Sequence, residues 1–174
     1  MRRVLLIGSS GAGKSTLARQ MGERLGLPVV HLDACYWQAG WQEPPREAWE
    51  ASLRGLLAAP AWVMDGNYGG TLGLRLASAD TVVFLDLPRV LCLARVLRRI
   101  VRYHGRTRPD MAAGCPEHLD WAFLRWIWGY PRTQRPGVLD RLARVEPETR
   151  VVVLRSRAAV RRFLDGLPTR PASS

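Results

Sequence analysis

The chain has 174 residues, 47% of them hydrophobic and 24% charged, the balance of one soluble globular domain with a sizeable core. No apolar stretch approaches the roughly 18 residues a membrane helix needs. Cys35, Cys92 and Cys115 lie far apart with no C-x-x-C pair, which excludes a disulfide framework and a cysteine-rich zinc site; reduced packing cysteines and a cytoplasmic protein are the expectation. The net charge of +11 is uneven: residues 1–88 hold eight basic and eight acidic residues, whereas 89–162 hold 17 arginines against six acids. Anything negative should meet the second half.

Val4 to Ile7 read as a buried first strand. It runs into Gly8-Ser-Ser-Gly-Ala-Gly-Lys-Ser-Thr16, which matches G-x-x-x-x-G-K-[ST] with Gly8, Gly13, Lys14 and Ser15 in the fixed places. Leu17, Met21 and Leu25 then follow at helical spacing. Strand, glycine loop and helix start make an anion cradle: the amides around Gly8, Gly11, Ala12 and Gly13 converge on phosphate oxygens at the positive helix end. Lys14 reaches the β- and γ-phosphates, Ser15 offers its hydroxyl to Mg²⁺, and Thr16 lies near the α-phosphate. Lys14 is also the only lysine among 26 basic residues, so lysine stands only where this loop needs it. ATP and Mg²⁺ are the expected cofactors.

The first helix should stop at Gly26-Leu27-Pro28. Val29 to Leu32 form a short second strand that delivers Asp33 to the C-terminal edge of the sheet, where open parallel sheets place their chemistry. Asp33 reads as a general base, an acceptor-positioning carboxylate, or the cap of the next turn. In the aromatic loop 34–44, Tyr36, Trp37 and Trp41 either stack on a planar substrate or pack the next helix, which Pro44-Pro45 opens and which runs to about Ala59. Ala61 to Asp65 form a third strand ending in Asp-Gly-Asn-Tyr-Gly-Gly. Asp65 would then sit beside the phosphate loop and hold Mg²⁺, usually through water, while Asn67 and Tyr68 face the acceptor. Arg75, on a short helix over 70–77, reaches into the cleft or lies on a solvated face.

Thr81 to Leu87 make a fourth strand, closed by Pro88. Over 89–104 a helix carries Val90, Leu93, Ala94, Leu97 and Val101 on one stripe and Arg95, Arg98, Arg99 and Arg102 on another. Such arginines suit a triphosphate, and they suit a nucleic acid as well. Residues 105–118 have glycine and proline punctuation without periodicity, the composition of a mobile flap. Helix returns over 117–130, apolar nearly all round and so expected to be covered on two faces, until Pro131 breaks it. Arg132 and Arg135 follow, and Pro136-Gly137 opens a further helix. Arg150 to Leu154 are the fifth strand, 157–167 the closing helix, and 168–174 a disordered tail.

These blocks together resemble the adenylate kinase superfamily of P-loop phosphotransferases, and more closely the small bacterial "DNA topology modulation" (FlaR-type) P-loop kinases. The resemblance rests on GSSGAGKST, HLDACYW, WVMDGNY, ADTVVFLDLPR, RPDMAAGCPE and FLRWIWGYP and covers residues 3 to about 155. It implies a three-layer α/β/α domain over 1–167 whose five-stranded parallel sheet has the order 2-3-1-4-5. An acceptor-binding region over about 33–77 and a helical, arginine-rich lid over about 95–136 are implied too. By position, Arg95 and Arg98 or Arg99 match the arginines before the lid, and Arg132 and Arg135 those after it. DGNY stands where D-G-F-P-R is expected, so the acceptor-binding arginine of that motif is missing, while Asp33 is similar to the base-bearing aspartate of uridine-kinase-like enzymes. The implied activity is Mg²⁺-dependent transfer of the ATP γ-phosphoryl to a small nucleotide or nucleoside. The alternative is a nucleotide-regulated DNA-binding protein with weak ATPase activity. Neither reading sets an oligomeric state.

Overall fold

A computed structural model describes residues 1–168. The tail expected to be disordered lies, from residue 169 on, outside the described residues. Five strands, β1 (Arg3–Gly8), β2 (Val29–His31), β3 (Trp62–Asp65), β4 (Thr81–Leu85) and β5 (Arg150–Leu154), form one sheet of order β2-β3-β1-β4-β5 in which every pairing is parallel. Among the described residues eight α-helices, with one 3-10 turn over Gly69–Thr71, connect and cover them: α1 (Lys14–Leu25), α2 (Leu32–Tyr36), α3 (Arg46–Leu57), α4 (Leu72–Ser78), α5 (Arg89–Tyr103), α6 (Trp121–Thr133), α7 (Arg135–Leu142) and α8 (Arg157–Asp165). None of the described helices is long and apolar enough to cross a membrane.

Strand side chains alternate between two faces, and the core divides accordingly. Val4, Leu6, Val63, Val83 and Leu85 pack with Leu17, Met21, Cys92, Val96 and Ile127 from α1, α5 and α6. Leu5, Ile7, Met64, Val82 and Phe84 face the other way, onto Trp49, Leu53, Leu72, Leu76, Val138 and Leu142 from α3, α4 and α7. Register matters most at the C-terminal edge. Leu6 pairs with Asp65, His31 with Asp65, and Gly8 with Leu85, so the phosphate loop, His31 and the Asp65 carboxylate emerge side by side.

Several expected elements differ. Leu32 belongs to α2, not to the second strand, which places Asp33 in the first turn of that helix; the cap is His31, so capping is not what Asp33 does. On α5 the core-facing stripe is Cys92, Val96 and Ile100, whereas Val90 and Val101 are 63% and 82% exposed. Two apolar rows share this helix, and the close seat of α5 on the phosphate loop selects between them. Asp120 starts α6 four residues later than expected, its Oδ1 accepting from the amides of Ala122 at 2.8 Å and Phe123 at 3.2 Å. Pro131 does not break α6, which continues to Thr133, because in the last turn a missing N–H frees only one carbonyl. Nor is α6 covered on two faces: Trp121 is 70% exposed and Trp128 is exposed too. Of the cysteines, Cys92 and Cys115 are buried, whereas Cys35, expected to be a packing residue, is exposed.

Candidate active site

The loop Gly8–Thr16 has the backbone of a phosphate cradle. Gly8, Gly11 and Gly13 take φ of 143°, 78° and 97°. A Cβ on Gly8 would stand 2.6 Å from the Leu85 carbonyl oxygen, and one on Gly11 would overlap that of Cys92, so glycine is required where the loop is pressed between β4 and α5. Gly13 caps α1 with no side-chain bond, which leaves the first-turn amides free for an anion. The Ala12 amide is different: it donates to the Ser9 carbonyl at 3.1 Å and so serves the loop's own turn. Lys14 Nζ donates to the carbonyls of Gly8 and Ser9 at 3.0 and 3.1 Å. Burial pulls the Lys14 ammonium below its usual range, with Asp33 and Asp65 opposing, so a further negative group beside it would be well matched.

Asp65 is almost fully buried and bridges two partners. Ser15 Oγ donates to its Oδ2 at 2.8 Å, and His31 Nδ1 lies 2.5 Å from its Oδ1. That hydrogen bond raises His31 above the ordinary histidine range against the cost of burial. Two hard oxygens, from Ser15 and Asp65, at the mouth of a phosphate cradle fit Mg²⁺, which keeps several waters and takes few protein ligands. Among the described residues no cluster of three or more acidic, histidine or cysteine groups forms a ready-made metal cage.

A cavity of about 680 Å³ opens over the loop. Lys14, Ser15, Thr16, His31 and Asp33 line its floor; Arg95, Arg98, Arg99 and Arg102 of α5 and Arg157 and Arg161 of α8 line one wall. Arg95 Nη1 donates to the Ala12 carbonyl at 2.9 Å, and burial and the neighbouring Arg157 lower its guanidinium from the ordinary range. The roof is the segment between α5 and α6, through Arg108, Pro109 and Asp110. That segment, expected to be a mobile flap, is docked. Trp41 Nε1 donates to the Pro116 carbonyl at 3.0 Å, the Gly40 amide to that of Gly114 at 2.8 Å, and Cys115 Sγ to that of Gln38 at 3.1 Å.

Glu117 ties the flap to α5. Arg99 donates to its Oε1 through Nε at 3.1 Å and Nη2 at 2.7 Å, and Arg108 Nε lies 2.7 Å from Oε2 in a charge contact without hydrogen-bond alignment. Arg108 also donates through Nη1 to Asp110 at 3.1 Å. Burial opposes ionisation of Asp110, but Arg108 and the nearby Ser15 hydroxyl hold its carboxyl below the usual carboxylate range.

The acceptor side departs from several expectations. Asp33 faces the cavity, and Tyr68 donates its phenol to Asp33 Oδ1 at 2.7 Å. Burial, followed by the Asp33 charge, pushes that phenol far above its ordinary range, so it remains a donor. Tyr36, Trp37, Asn67 and Tyr68 line no part of the cavity. Tyr36 instead packs edge-on against Trp37 and Trp49 at 5.1 and 5.0 Å between ring centres, and against Tyr68 at 4.4 Å; the aromatics hold the loop to α3. Arg75 neither reaches the cleft nor meets solvent. It is 0% exposed and donates through Nη1 to the Gly66 carbonyl at 2.9 Å and through Nη2 to that of Tyr68. Burial, with Arg141 nearby, pulls its pKa down to about 10.

Arg132 and Arg135, expected at the triphosphate, are not there either. Arg132 is exposed on α6. Arg135 grips Asp86 through Nε and Nη2 at 2.7 and 2.8 Å, beside a separate cavity of about 200 Å³. Sequence reasoning missed Arg108, Asp110, Glu117, Arg157 and Arg161. The arginine and two acids inside a segment otherwise built of turn residues were a usable signal; the α8 pair resembles any solvated helix face.

No family model matches the chain. Over 156 residues it is 28% identical to an adenylate kinase of Gloeobacter violaceus, covering 68% of this chain and 71% of that protein. Over 129 residues it is 27% identical to the uncharacterised protein YqaC of Bacillus subtilis, covering 72% and 70%. Among solved structures, shikimate kinase from Acinetobacter baumannii in complex with shikimate superposes with a TM-score of 0.58 at 19% identity, over 95% of this chain and 89% of that one, a likeness of fold. The glycine loop on β1, the all-parallel 2-3-1-4-5 sheet and these likenesses together place the chain in the P-loop kinase superfamily.

Proposed function

We propose that the protein is a Mg²⁺-dependent kinase that transfers the γ-phosphoryl of ATP to a small nucleotide- or nucleoside-type acceptor. The observation that carries this reading is the meeting of Lys14, Ser15 and Asp33 on the floor of one arginine-walled cavity, with Asp65 buried behind Ser15 and bonded to it. Bound Mg-ATP would supply the phosphoryl group and the charge that offsets its transfer. Lys14 and the free amides of the first turn of α1 hold phosphate oxygens in place, and Ser15 and Asp65 are the residues that would hold the metal. Arg95 and Arg98, on the cavity wall, add positive charge where negative charge develops. Asp33, fixed by the Tyr68 phenol, takes the proton of a hydroxyl acceptor. The flap over residues 104–120 acts as the lid, keeping water from the reacting group. ADP release in the presence of nucleosides, nucleoside monophosphates and small alcohols, measured above the rate without acceptor, tests the reading; no stimulation by any of them overturns it.

A second reading, nucleotide-regulated nucleic-acid binding, is favoured by one surface. Trp121, Arg125, Trp128 and Arg132 share the exposed face of α6, with Arg89 stacked 4.0 Å over Trp128. Aromatic rings alternating with arginines suit bases and phosphates. Its test is DNA affinity at physiological salt with and without Mg-ATP. No binding in either condition removes this reading.

A further inference from the structure

We infer that the acceptor of this kinase site is an uncharged hydroxyl compound, such as a nucleoside, and not a phosphorylated or carboxylated one. The inference rests on the kinase reading and on how the cavity divides its charge. An anionic acceptor needs a cation with a free hydrogen-bonding edge turned toward it. On the α5 and α8 wall such groups abound: Arg98, Arg102, Arg157 and Arg161 line the cavity, and none of them has a carboxylate partner among the described residues. On the side where Asp33 stands, the segment that builds it supplies none.

Within 29–78, which builds that side, the cations are Arg46, Arg54 and Arg75. Arg46 is exposed and paired with Glu50 at 2.8 Å, and Arg54 is exposed on α3. Arg75 is buried and turned inward onto the carbonyls of Gly66 and Tyr68. Three guanidiniums approach from elsewhere: Arg19 of α1 lines the cavity near His31 and is exposed to solvent, and carboxylates neutralise the other two. Glu117 and Asp110 hold Arg108 on the flap, while Asp86 occupies the bidentate edge of Arg135. Asp33 itself has one hydrogen-bond partner, the uncharged Tyr68 phenol, and the ammonium that feels its charge, Lys14, is held on the Gly8 and Ser9 carbonyls of the phosphate loop, so the Asp33 carboxylate would disfavour an acceptor phosphate or carboxylate placed against it.

That arrangement suits a neutral hydroxyl. In the transfer, the acceptor oxygen forms its bond to the γ-phosphorus, and the bond from that phosphorus to the bridging oxygen breaks. ADP leaves with the electron pair, and the hydroxyl proton passes to the Asp33 carboxylate. A phosphate acceptor, already ionised at neutral pH, would have no use for the base.

The test uses the full chain, γ-labelled Mg-ATP and a small-molecule extract split on an anion-exchange resin into unretained and retained fractions. Label should enter a new phosphate ester from the unretained fraction at least ten times more than from the retained one. Asp33→Asn should abolish that transfer while ATP binding, read by a fluorescent ATP analogue, stays within a factor of two. Transfer mainly from the retained fraction, or nucleoside monophosphates phosphorylated faster than the matching nucleosides, overturns the inference and leaves the kinase standing. No transfer from either fraction by a protein that binds ATP overturns the kinase reading, and the inference falls with it.

Discussion

Replacing Arg75 by methionine separates a clamp from a substrate contact. Its guanidinium is 0% exposed, and two of its nitrogens serve the carbonyls of Gly66 and Tyr68, while its Nε has no partner. Charge-assisted bonds of this kind contribute about 1.5–3 kcal/mol each, and the orphaned Nε returns about 1–3 kcal/mol of that. Methionine fills most of the volume and leaves the two carbonyls unpaired, which is the same loss seen from the acceptor side. Taken together, a destabilisation of about 3 kcal/mol is expected, roughly two decades in the unfolding constant. For a chain of this length that corresponds to a Tm lower by about 6–12 °C. Urea and thermal unfolding measure it directly. Because the same turn carries Tyr68, and Tyr68 fixes Asp33, kcat for phosphoryl transfer should fall with the KM for ATP unchanged. A variant with wild-type stability and only a raised acceptor KM would refute the clamp and restore Arg75 to the substrate.

Lys14→Ala should lower phosphoryl transfer by about two orders of magnitude or more in a folded protein, since its charge counts most in the transition state; unchanged turnover would end the kinase reading. Glu117→Gln leaves Arg99 and Arg108 without their shared carboxylate, so the flap should loosen. Trypsin cleavage at Arg106 or Arg108 should quicken at least tenfold, and an unchanged rate would show that Glu117 does not hold the flap. Asp80 accepts from the amides of Arg2 and Arg3 at 2.6 and 2.9 Å; burial opposes its ionisation, but these bonds lower its pKa. A depressed carboxylate stabilises the fold above its unfolded pKa of about 3.9, and that contribution disappears as pH falls through the folded value. Asp80→Asn should therefore be less stable than the natural protein at neutral pH, with the gap closing toward about pH 3. A gap that stays constant with pH would refute the assignment.

What the sequence alone determined is whatever local chemistry dictates. Glycines at positions 8, 11 and 13 before Lys14-Ser15, between an apolar run and a helical one, leave little choice but a strand, a cradle and a helix start. The five short β-branched and aliphatic runs mark parallel strands in the same way. Asp65 was legible because a carboxylate ending a buried strand must lie at the sheet's edge, and Asp33 because it follows the next such run. The fate of the arginines could not be read, since a guanidinium six or seven ångströms from its backbone goes wherever a partner lies. Arg75 was claimed by carbonyls of the turn beside it, Arg135 by Asp86 across 49 positions, and Arg99 and Arg108 by Glu117. The same holds for α5, whose two apolar rows fit helical spacing equally well. Only the approach of Gly11 to the Cys92 carbonyl turned Cys92, Val96 and Ile100 inward and left Val90 and Val101 in solvent. Helical period states which residues share a face, whereas the packing of one element on another decides which face is buried.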